Sequence, residues 1–351
     1  MANIPKNVHI IWIGGALPEK NQACVDSFHA QNPDWTINLW FDPDALLGKY
    51  RHIIQAESMR QFEGNKNADQ KFANKASAAT SLANSLTKKA KKKGSFDEAI
   101  VSYIAHNASK TFGGKKNTVD QYKRVLRETK DANLKALQDY AEKGTIQLKS
   151  VEEFGYGPKS PYTVEMQRRG NFGALSDIVR IDAILKYGGV YFDTDVECKE
   201  PLGSINVEEN LGRFSCTHTG MKMQLKATGR IAKTDWLSDQ WWTEKITNAP
   251  DLVNSIIAAH QNSDMLKSYR SHIANNYKEV RKGTVEWRTF YPGVRKDVIS
   301  RTGPGTLVQT ARENAQFNEY AEDLDYKLWM RDTLIFPMYI VEDKFFHDWI
   351  A

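Results

Sequence analysis

The chain is poor in the features that settle a protein's class at once. It has three cysteines, Cys24, Cys198 and Cys216, far apart and without a CxxC pair. An odd count with no framework spacing argues against a disulfide scaffold, for a reducing compartment, and against a zinc site. No run of about eighteen apolar residues occurs, so no transmembrane helix is expected. The N-terminal MANIPKNVHIIWIGG lacks the basic and apolar blocks of a secretory signal. Internal repeats and low-complexity tails are absent. Positive charge is only slightly in excess, 48 Lys and Arg against 43 Asp and Glu. Much of that excess can come from one cluster, Lys88, Lys89, Lys91, Lys92 and Lys93. No aromatic residues interleave with these lysines, so no nucleic-acid partner is expected. A solvated helix end before Gly94 accounts for them, and so does a weak contact with an anionic membrane surface.

What is present is ordinary globular material: 351 residues, 41% hydrophobic and 26% charged. That length supports a sizeable core without disulfides. The run VHIIWI (8–13), ended by Gly14 and Gly15, reads as a buried strand. Residues 18–31 read as a helix and WTINLWF (35–41) as a second strand. Strand, glycine turn, helix and strand make a βαβ unit, which implies a parallel sheet and an α/β fold. From 44 to 144 Lys, Ala, Asn and Gln dominate, while Phe62, Phe72, Leu82, Ile100, Tyr103, Ile104, Tyr122, Val125, Leu126, Leu134 and Leu137 supply buried faces at helical spacing. This stretch is taken as a largely helical insertion within a single domain spanning 1–351. Residues 145–148 read as a short strand, 213–235 as a polar hairpin, 249–279 as two helices and 284–310 as a turn-rich strand region. Trp236, Trp241 and Trp242, with Met221 and Met223, form either core or a docking surface. The first strand starts almost at once and an aromatic-rich stretch ends the chain, which suggests a catalytic domain cut from something larger.

The most informative block lies between 162 and 201. Residues 176–186 read as a helix with Ser176 as N-cap and Asp177 at its positive end. Ile178, Ile181, Ile184 and Leu185 form its apolar stripe, and Asp177 and Arg180 share another face. Gly188 and Gly189 stop it. Val190, Tyr191 and Phe192 make a short buried strand that delivers Asp193, Thr194 and Asp195 at its C-terminal end, where open α/β sheets place ligands. Two aspartates at i and i+2 of an extended chain point to one side. They repel unless a cation or proton lies between them. A hard divalent ion answers that need and can hold a diphosphate leaving group. A DxD alone also occurs as a turn or a cap; helix, double glycine and apolar strand before it favour function.

The segments NFGALSDIVR (171–180) and GGVYFDTD (188–195) resemble the sugar-transferase block of the large clostridial glucosylating toxins and the related tyrosine-modifying Rho toxins of insect-associated bacteria. VHIIWIGG (8–15), Thr302-Gly303-Pro304 and His347-Asp348-Trp349 match in the same order, whereas 40–160 offers no matching motif. The resemblance implies a GT-A fold: a mostly parallel central sheet flanked by helices. It further implies a UDP-sugar donor, Mn²⁺ or Mg²⁺, and retention of anomeric configuration. By position, Ile11 and Trp12 would bind the nucleotide, Trp12 by stacking on uracil. Asp177 and Arg180 would hold sugar and phosphate. Asp193 would contact ribose, sugar and metal, and Asp195 the metal. Trp349 would sit on a closing segment and touch the leaving phosphate. The plain alternatives are a core tryptophan, a surface ion pair and a terminal aromatic over the core.

One departure concerns the metal. Near their terminal tryptophan the clostridial toxins carry a Glu and a Ser, where this chain has Lys344, beside Asp343, and His347; His347 is the candidate replacement ligand. A second is that no membrane-binding helical bundle precedes the first strand. The implied function is transfer of glucose or N-acetylglucosamine to a Thr or Tyr hydroxyl of a host protein, a small GTPase of the Rho type. It would take place in the host cytosol, at the inner face of the membrane, as part of a larger secreted bacterial toxin or effector. The competing readings are a bacterial transferase that builds polysaccharide and a nucleotide-sugar-binding module without turnover. Asp193, Asp195 and Arg180 are all present, which disfavours the latter.

Overall fold

The apolar runs of the sequence become the strands of one sheet. The computed structural model describes residues 1–60, 62, 64, 67–111, 116–168, 170–228, 230–282 and 295–344. Short β1 (Ala2–Asn3) precedes β2 (Asn7–Ile11), β3 (Thr36–Phe41), β4 (Gln147–Ser150) and β5 (Gly189–Phe192). They are followed by β6 (Val196–Cys198), β7 (Asn206–Val207), β8 (Arg213–Thr217), β9 (Asp251–Ala259) and β10 (Val341–Asp343). The six-stranded sheet has the order β4-β3-β2-β5-β9-β8, while β1 pairs with β7 and β6 with β10. The β4, β3, β2 and β5 pairings are parallel; β9 runs against both β5 and β8. The sheet is therefore mostly parallel, as the α/β reading required.

Helix α1 (Glu19–Gln31) joins β2 to β3 and completes the expected βαβ unit. It buries Asn21, Cys24, Val25 and Phe28, the i, i+3, i+4, i+7 stripe of a helix lying on a sheet. Between β3 and β4 come α2 (Gly48–Arg60), α3 (Ala68–Lys93), α4 (Phe96–Thr111) and α5 (Lys116–Lys143). Two carboxylates tie these helices to the loop after β3. Asp44 accepts from the Phe96 and Asp97 amides at 2.6 and 3.2 Å, satisfying the open end of α4. Asp97 in return accepts from the Leu46 and Leu47 amides, both at 3.1 Å, and pairs with Lys130 at 3.2 Å. Val125 does not supply a buried face: it is exposed. The side chain of Phe72 lies outside what is described.

After α6 (Pro161–Arg168), helix α7 spans Phe172–Tyr187. It starts four residues before Ser176 because Asn171 is the N-cap, its side chain accepting from the Ala174 amide at 3.1 Å. Asp177 therefore lies in the second turn rather than at the positive end. Gly188 and Gly189 do stop the helix, with φ of 64° and 112°. A Cβ on Gly189 would stand 2.3 Å from the Asn7 carbonyl oxygen, so only glycine lets β5 draw level with β2 there.

The later part of the chain departs from the sequence reading. Residues 213–235 hold β8 and α8 (Thr219–Thr228), not a hairpin, followed by α9 (Lys233–Trp236) and α10 (Asp239–Lys245). Of the two helices expected over 249–279, the first is β9 and only the second is helical, α11 (Asp264–Lys282). Short apolar runs such as SIIAA do not distinguish strand from buried helix by period. In 284–310 the described residues form α12 (Arg295–Arg301) and the start of α13 (Pro304–Asn314), while 284–294 lie outside them; α14 (Leu324–Thr333) then leads to β10. Met221, Trp236 and Trp242 are buried in the core and Trp241 is half-buried against it; Met223's side chain lies outside what is described. The three cysteines are free and buried. No helix among the described residues is long and apolar enough to cross a membrane.

His9, in the middle of β2, is fully buried with Nδ1 accepting from the Trp40 indole at 3.1 Å and Nε2 donating to the Gly188 carbonyl at 3.0 Å. Burial holds its pKa down at about 4. A neutral His9 thus contributes stability that is complete above the unfolded value and is lost as pH falls through 4. Between pH 7 and pH 4, wild type should lose roughly 3 kcal/mol of unfolding free energy relative to His9→Gln, measured by denaturant titration at each pH.

Candidate active site

The carboxylates sit at the C-terminal edge of the parallel strands. Beyond β5 the Asp193 amide still bonds to the Ser255 carbonyl at 2.9 Å, but the chain then turns, the Val196 amide returning to the Asp193 carbonyl at 3.1 Å. Asp193-Thr194-Asp195 is thus a turn between β5 and β6, and the extended-chain argument for two carboxylates on one side does not apply. From α1, buried Asn21 donates to the Thr194 carbonyl and hydroxyl at 3.3 and 3.4 Å. On the other side, the Lys344 amide bonds to the Asp195 carbonyl at 2.8 Å.

The two carboxylates differ in company. Asp193 Oδ1 accepts from the Tyr191 hydroxyl at 2.5 Å and faces Arg180 Nη1 at 3.2 Å. Burial, opposed by Arg180 and reinforced by Asp195, pushes the Asp193 pKa up to about 6. The Asp195 carboxylate is half-buried and accepts no hydrogen bond among the described residues.

Beneath them lies Asp177-Arg180, a buried pair and not the surface pair of the plain reading: the residues are 6% and 5% exposed. Every nitrogen of the guanidinium is taken. Nε donates to the Ser176 carbonyl at 3.3 Å; Nη1 donates to the Asn254 carbonyl at 2.6 Å and meets Asp193; Nη2 donates to Ser176 Oγ at 3.1 Å and meets Asp177 at 3.2 Å. Its plane lies 4.2 Å from the centre of the Tyr191 ring. Burial alone would lower its pKa; Tyr191, Asp193 and Asp177 outweigh burial and raise it. Asp177 is closed on its remaining sides by Asn254 Nδ2 at 2.9 Å and the Thr302 hydroxyl at 2.7 Å. Burial nonetheless raises its pKa, against the pull of Arg180. Tyr269 completes the ring, its hydroxyl lying 2.7 and 3.0 Å from the Thr302 and Gly303 carbonyls.

Trp12 continues β2, its amide bonded to the Trp40 carbonyl at 2.8 Å. It is half-buried and not a closed core residue. Its indole N–H is held by the Gly15 and Ala16 carbonyls, both at 3.1 Å, which fixes the ring and the glycine loop together. The Ile11 side chain is buried in the core. His347 and Trp349 lie outside the described residues. The structure thus brings Asp177, Arg180, Asp193 and Asp195 together. Among the described residues no three His, Cys, Asp or Glu side chains gather as a metal cluster.

Sequence reasoning missed Asn254, Tyr269, Tyr191 and Ser176 as members of this network. Asn254 was hidden because β9 had been read as helix; an asparagine amid a buried strand is the signal that would have raised it. Thr302 belongs to a motif singled out above, but with no role attached.

A mostly parallel sheet with an acidic turn at its carboxyl edge, over a buried Asp–Arg pair, defines a glycosyltransferase of the GT-A type. The chain belongs to the family of the TcdA/TcdB catalytic glycosyltransferase domain, whose model matches residues 6–201. Among curated relatives it is 25% identical to Toxin B of Clostridioides difficile over 211 residues, 55% of this chain and 8% of the toxin. It is 23% identical to Toxin A of Clostridium novyi over 203 residues, 54% of this chain and 9% of that protein. The chain thus spans less than a tenth of the curated relatives it matches. Among solved structures, the catalytic domain of alpha-toxin from Clostridium novyi matches with a TM-score of 0.70 at 15% identity, over 100% of this chain and 80% of that one. The UDP-bound glycosyltransferase domain of the YGT toxin matches with a TM-score of 0.64 at 15% identity, over 99% of this chain and 83% of that one. These likenesses establish the fold.

Replacing Arg180 leaves buried Asp177 and partly buried Asp193 without their cation. Arg180→Gln should lower the unfolding free energy by about 3–5 kcal/mol. Asp195→Asn, at a carboxylate with no partner among the described residues, should change it by no more than about 0.5 kcal/mol. Denaturant melts of both variants measure this contrast.

Proposed function

We propose that this domain transfers glucose or N-acetylglucosamine from a UDP-sugar to a Thr or Tyr hydroxyl of a host protein, a Rho-type small GTPase, with Mn²⁺ or Mg²⁺ and with retention. The observation that carries this reading is the Asp193–Asp195 turn, with one carboxylate unpartnered among the described residues and the other pushed toward protonation, set over Arg180 in the fold of this family.

The residues fit a divalent ion. Among the described residues nothing donates to the Asp195 carboxylate, and a cation would offset both the burial and the neighbouring Asp195 charge that raise Asp193. Two protein carboxylates suffice for a hard ion that fills its sphere with diphosphate and water oxygens. His347 is the third candidate ligand. Such an ion, when bound, draws negative charge from the departing diphosphate.

In the transfer, the bond from sugar C1 to the β-phosphate oxygen breaks and a bond from C1 to the acceptor oxygen forms on the same face. The hydroxyl proton leaves with the phosphate oxygen, and no protein nucleophile is required. Trp12, its indole held by the glycine loop, offers a ring face to uracil, with the main chain of Ile11 beside it. Arg180 and Asp177 form the floor under sugar and phosphate. They act by fixing the carboxylates in advance, the kind of preorganisation that stabilises developing charge. Trp349, which lies outside the described residues, is assigned by the resemblance alone to the leaving phosphate, where an indole would help exclude water that hydrolyses the donor.

The domain acts in the host cytosol as part of a larger secreted toxin or effector. Lys88, Lys89, Lys91, Lys92 and Lys93, in the last two turns of α3, give it a weak hold on the anionic inner face of the membrane.

The test requires no acceptor, since slow donor hydrolysis reports the same chemistry. Incubated with Mn²⁺ and a panel of UDP-sugars, the protein should release UDP from one of them. Asp193→Asn/Asp195→Asn should abolish the release, by at least about a hundredfold. Absence of both UDP release and UDP binding with every sugar would sink the reading.

A further inference from the structure

A closed ring of four charges stands beside the acidic turn. In the β6–β10 pair Glu197 and Glu342 are direct cross-strand partners. Like charges placed so destabilise a pair. Here they are bridged on both sides. Lys199 Nζ lies 2.7 Å from Glu197 and 3.0 Å from Glu342; Lys344 Nζ lies 2.7 Å from Glu197 and 2.6 Å from Glu342. All four side chains are between 21% and 29% exposed, so the ring is shielded without being dry.

Lys344 has another carboxylate close by. Its amide is bonded to the Asp195 carbonyl, one register step beyond the Asp343–Val196 pair, which makes Asp195 the residue across from it. The Asp195 carboxylate has no hydrogen-bond donor among the described residues, and an ammonium on a flexible four-carbon stem is the natural one. It is turned instead toward the two glutamates.

We propose that Glu197 and Glu342 are positioning residues that hold the Lys344 ammonium off Asp195 and so keep that carboxylate open for a divalent cation. This rests on the divalent-ion reading given above. Lys199 bridges the glutamates by itself; the strand pairing sets a second lysine, Lys344, across from Asp195, and the ring confines its charge.

The experiment is Mn²⁺ affinity, measured by calorimetry and by the electron paramagnetic resonance signal of free Mn²⁺ in the presence of UDP. It compares wild type, Glu197→Gln/Glu342→Gln, and that double variant with Lys344→Met added. The double variant should bind Mn²⁺ roughly 10–100-fold more weakly, the usual cost of losing an outer-sphere support. Adding Lys344→Met should restore affinity to within about threefold of wild type, because the competing cation is gone. A ring that only braces β6 against β10 predicts the reverse, since each further loss deepens the defect. A double variant that binds as wild type, or a triple variant that stays weak, overturns the inference. Failure of wild type to bind Mn²⁺ overturns the divalent-ion reading itself, and the inference with it. Thermal melts of the three proteins show whether each is folded. Should the double variant not fold, Lys344→Met alone decides: it is expected to bind at least as tightly as wild type, and weaker binding overturns the inference.

Discussion

The site depends on one buried guanidinium. Arg180 spends its donors on Asp177, Asp193, Ser176 and the Asn254 carbonyl, and its face on Tyr191. Such a group is a poor source of net stability, because removing its hydration costs about as much as its partners return. What it supplies is position. It joins α7, the end of β5 and the middle of β9, and through Asp177 it reaches the loop before α13. Of the three carboxylates, Asp177, Asp193 and Asp195, it pairs with buried Asp177 and partly buried Asp193, and among the described residues no other cation is paired with either. The excess negative charge accumulates toward Asp195, on the open side.

That arrangement divides labour between two aspartates two residues apart. Asp193 is drawn inward by Tyr191 and Arg180, and its position is set by protein contacts. Among the described residues Asp195 is held through its main chain, by Lys344, and its carboxylate has no donor. The turn between them has Asn21 against Thr194 on one side and β10 on the other. Segments far apart in sequence thus meet at three consecutive residues, which is how a short loop comes to hold its shape.

Much of this was legible in the sequence where local chemistry and local structure coincide. The run VHIIWI, the glycine pair at 188–189 and the strand before Asp193 each announce one element, and each formed. Asp177, Arg180, Asp193 and Asp195 came from a motif and do converge. The failures share a cause. Ser176 looked like a cap because a serine before an aspartate often is one, but Asn171 stood earlier and took the role. Strand β9 reads as helix in the sequence because SIIAA packs equally well in either, and its pairing between β5 and β8 decides. With β9 misread, Asn254 could not be placed next to Asp177. The ring of Glu197, Lys199, Glu342 and Lys344 has no local signature, since it arises from a pairing between residues some 145 positions apart.

The helices α2–α5 leave the sheet after β3 and return to it at β4, with Asn38 beside Gln147. Their base is tied down by Asp44 and Asp97 at the loop itself. The entropy of closing such an excursion grows only with the logarithm of its length, so doubling it costs about 0.6 kcal/mol. Evolution can therefore lengthen, shorten or rewrite the far ends of α3, α4 and α5 at small thermodynamic cost, while the spacing of β3, β4 and the acidic turn stays the same. In such a molecule the outline is free to diversify faster than the chemistry.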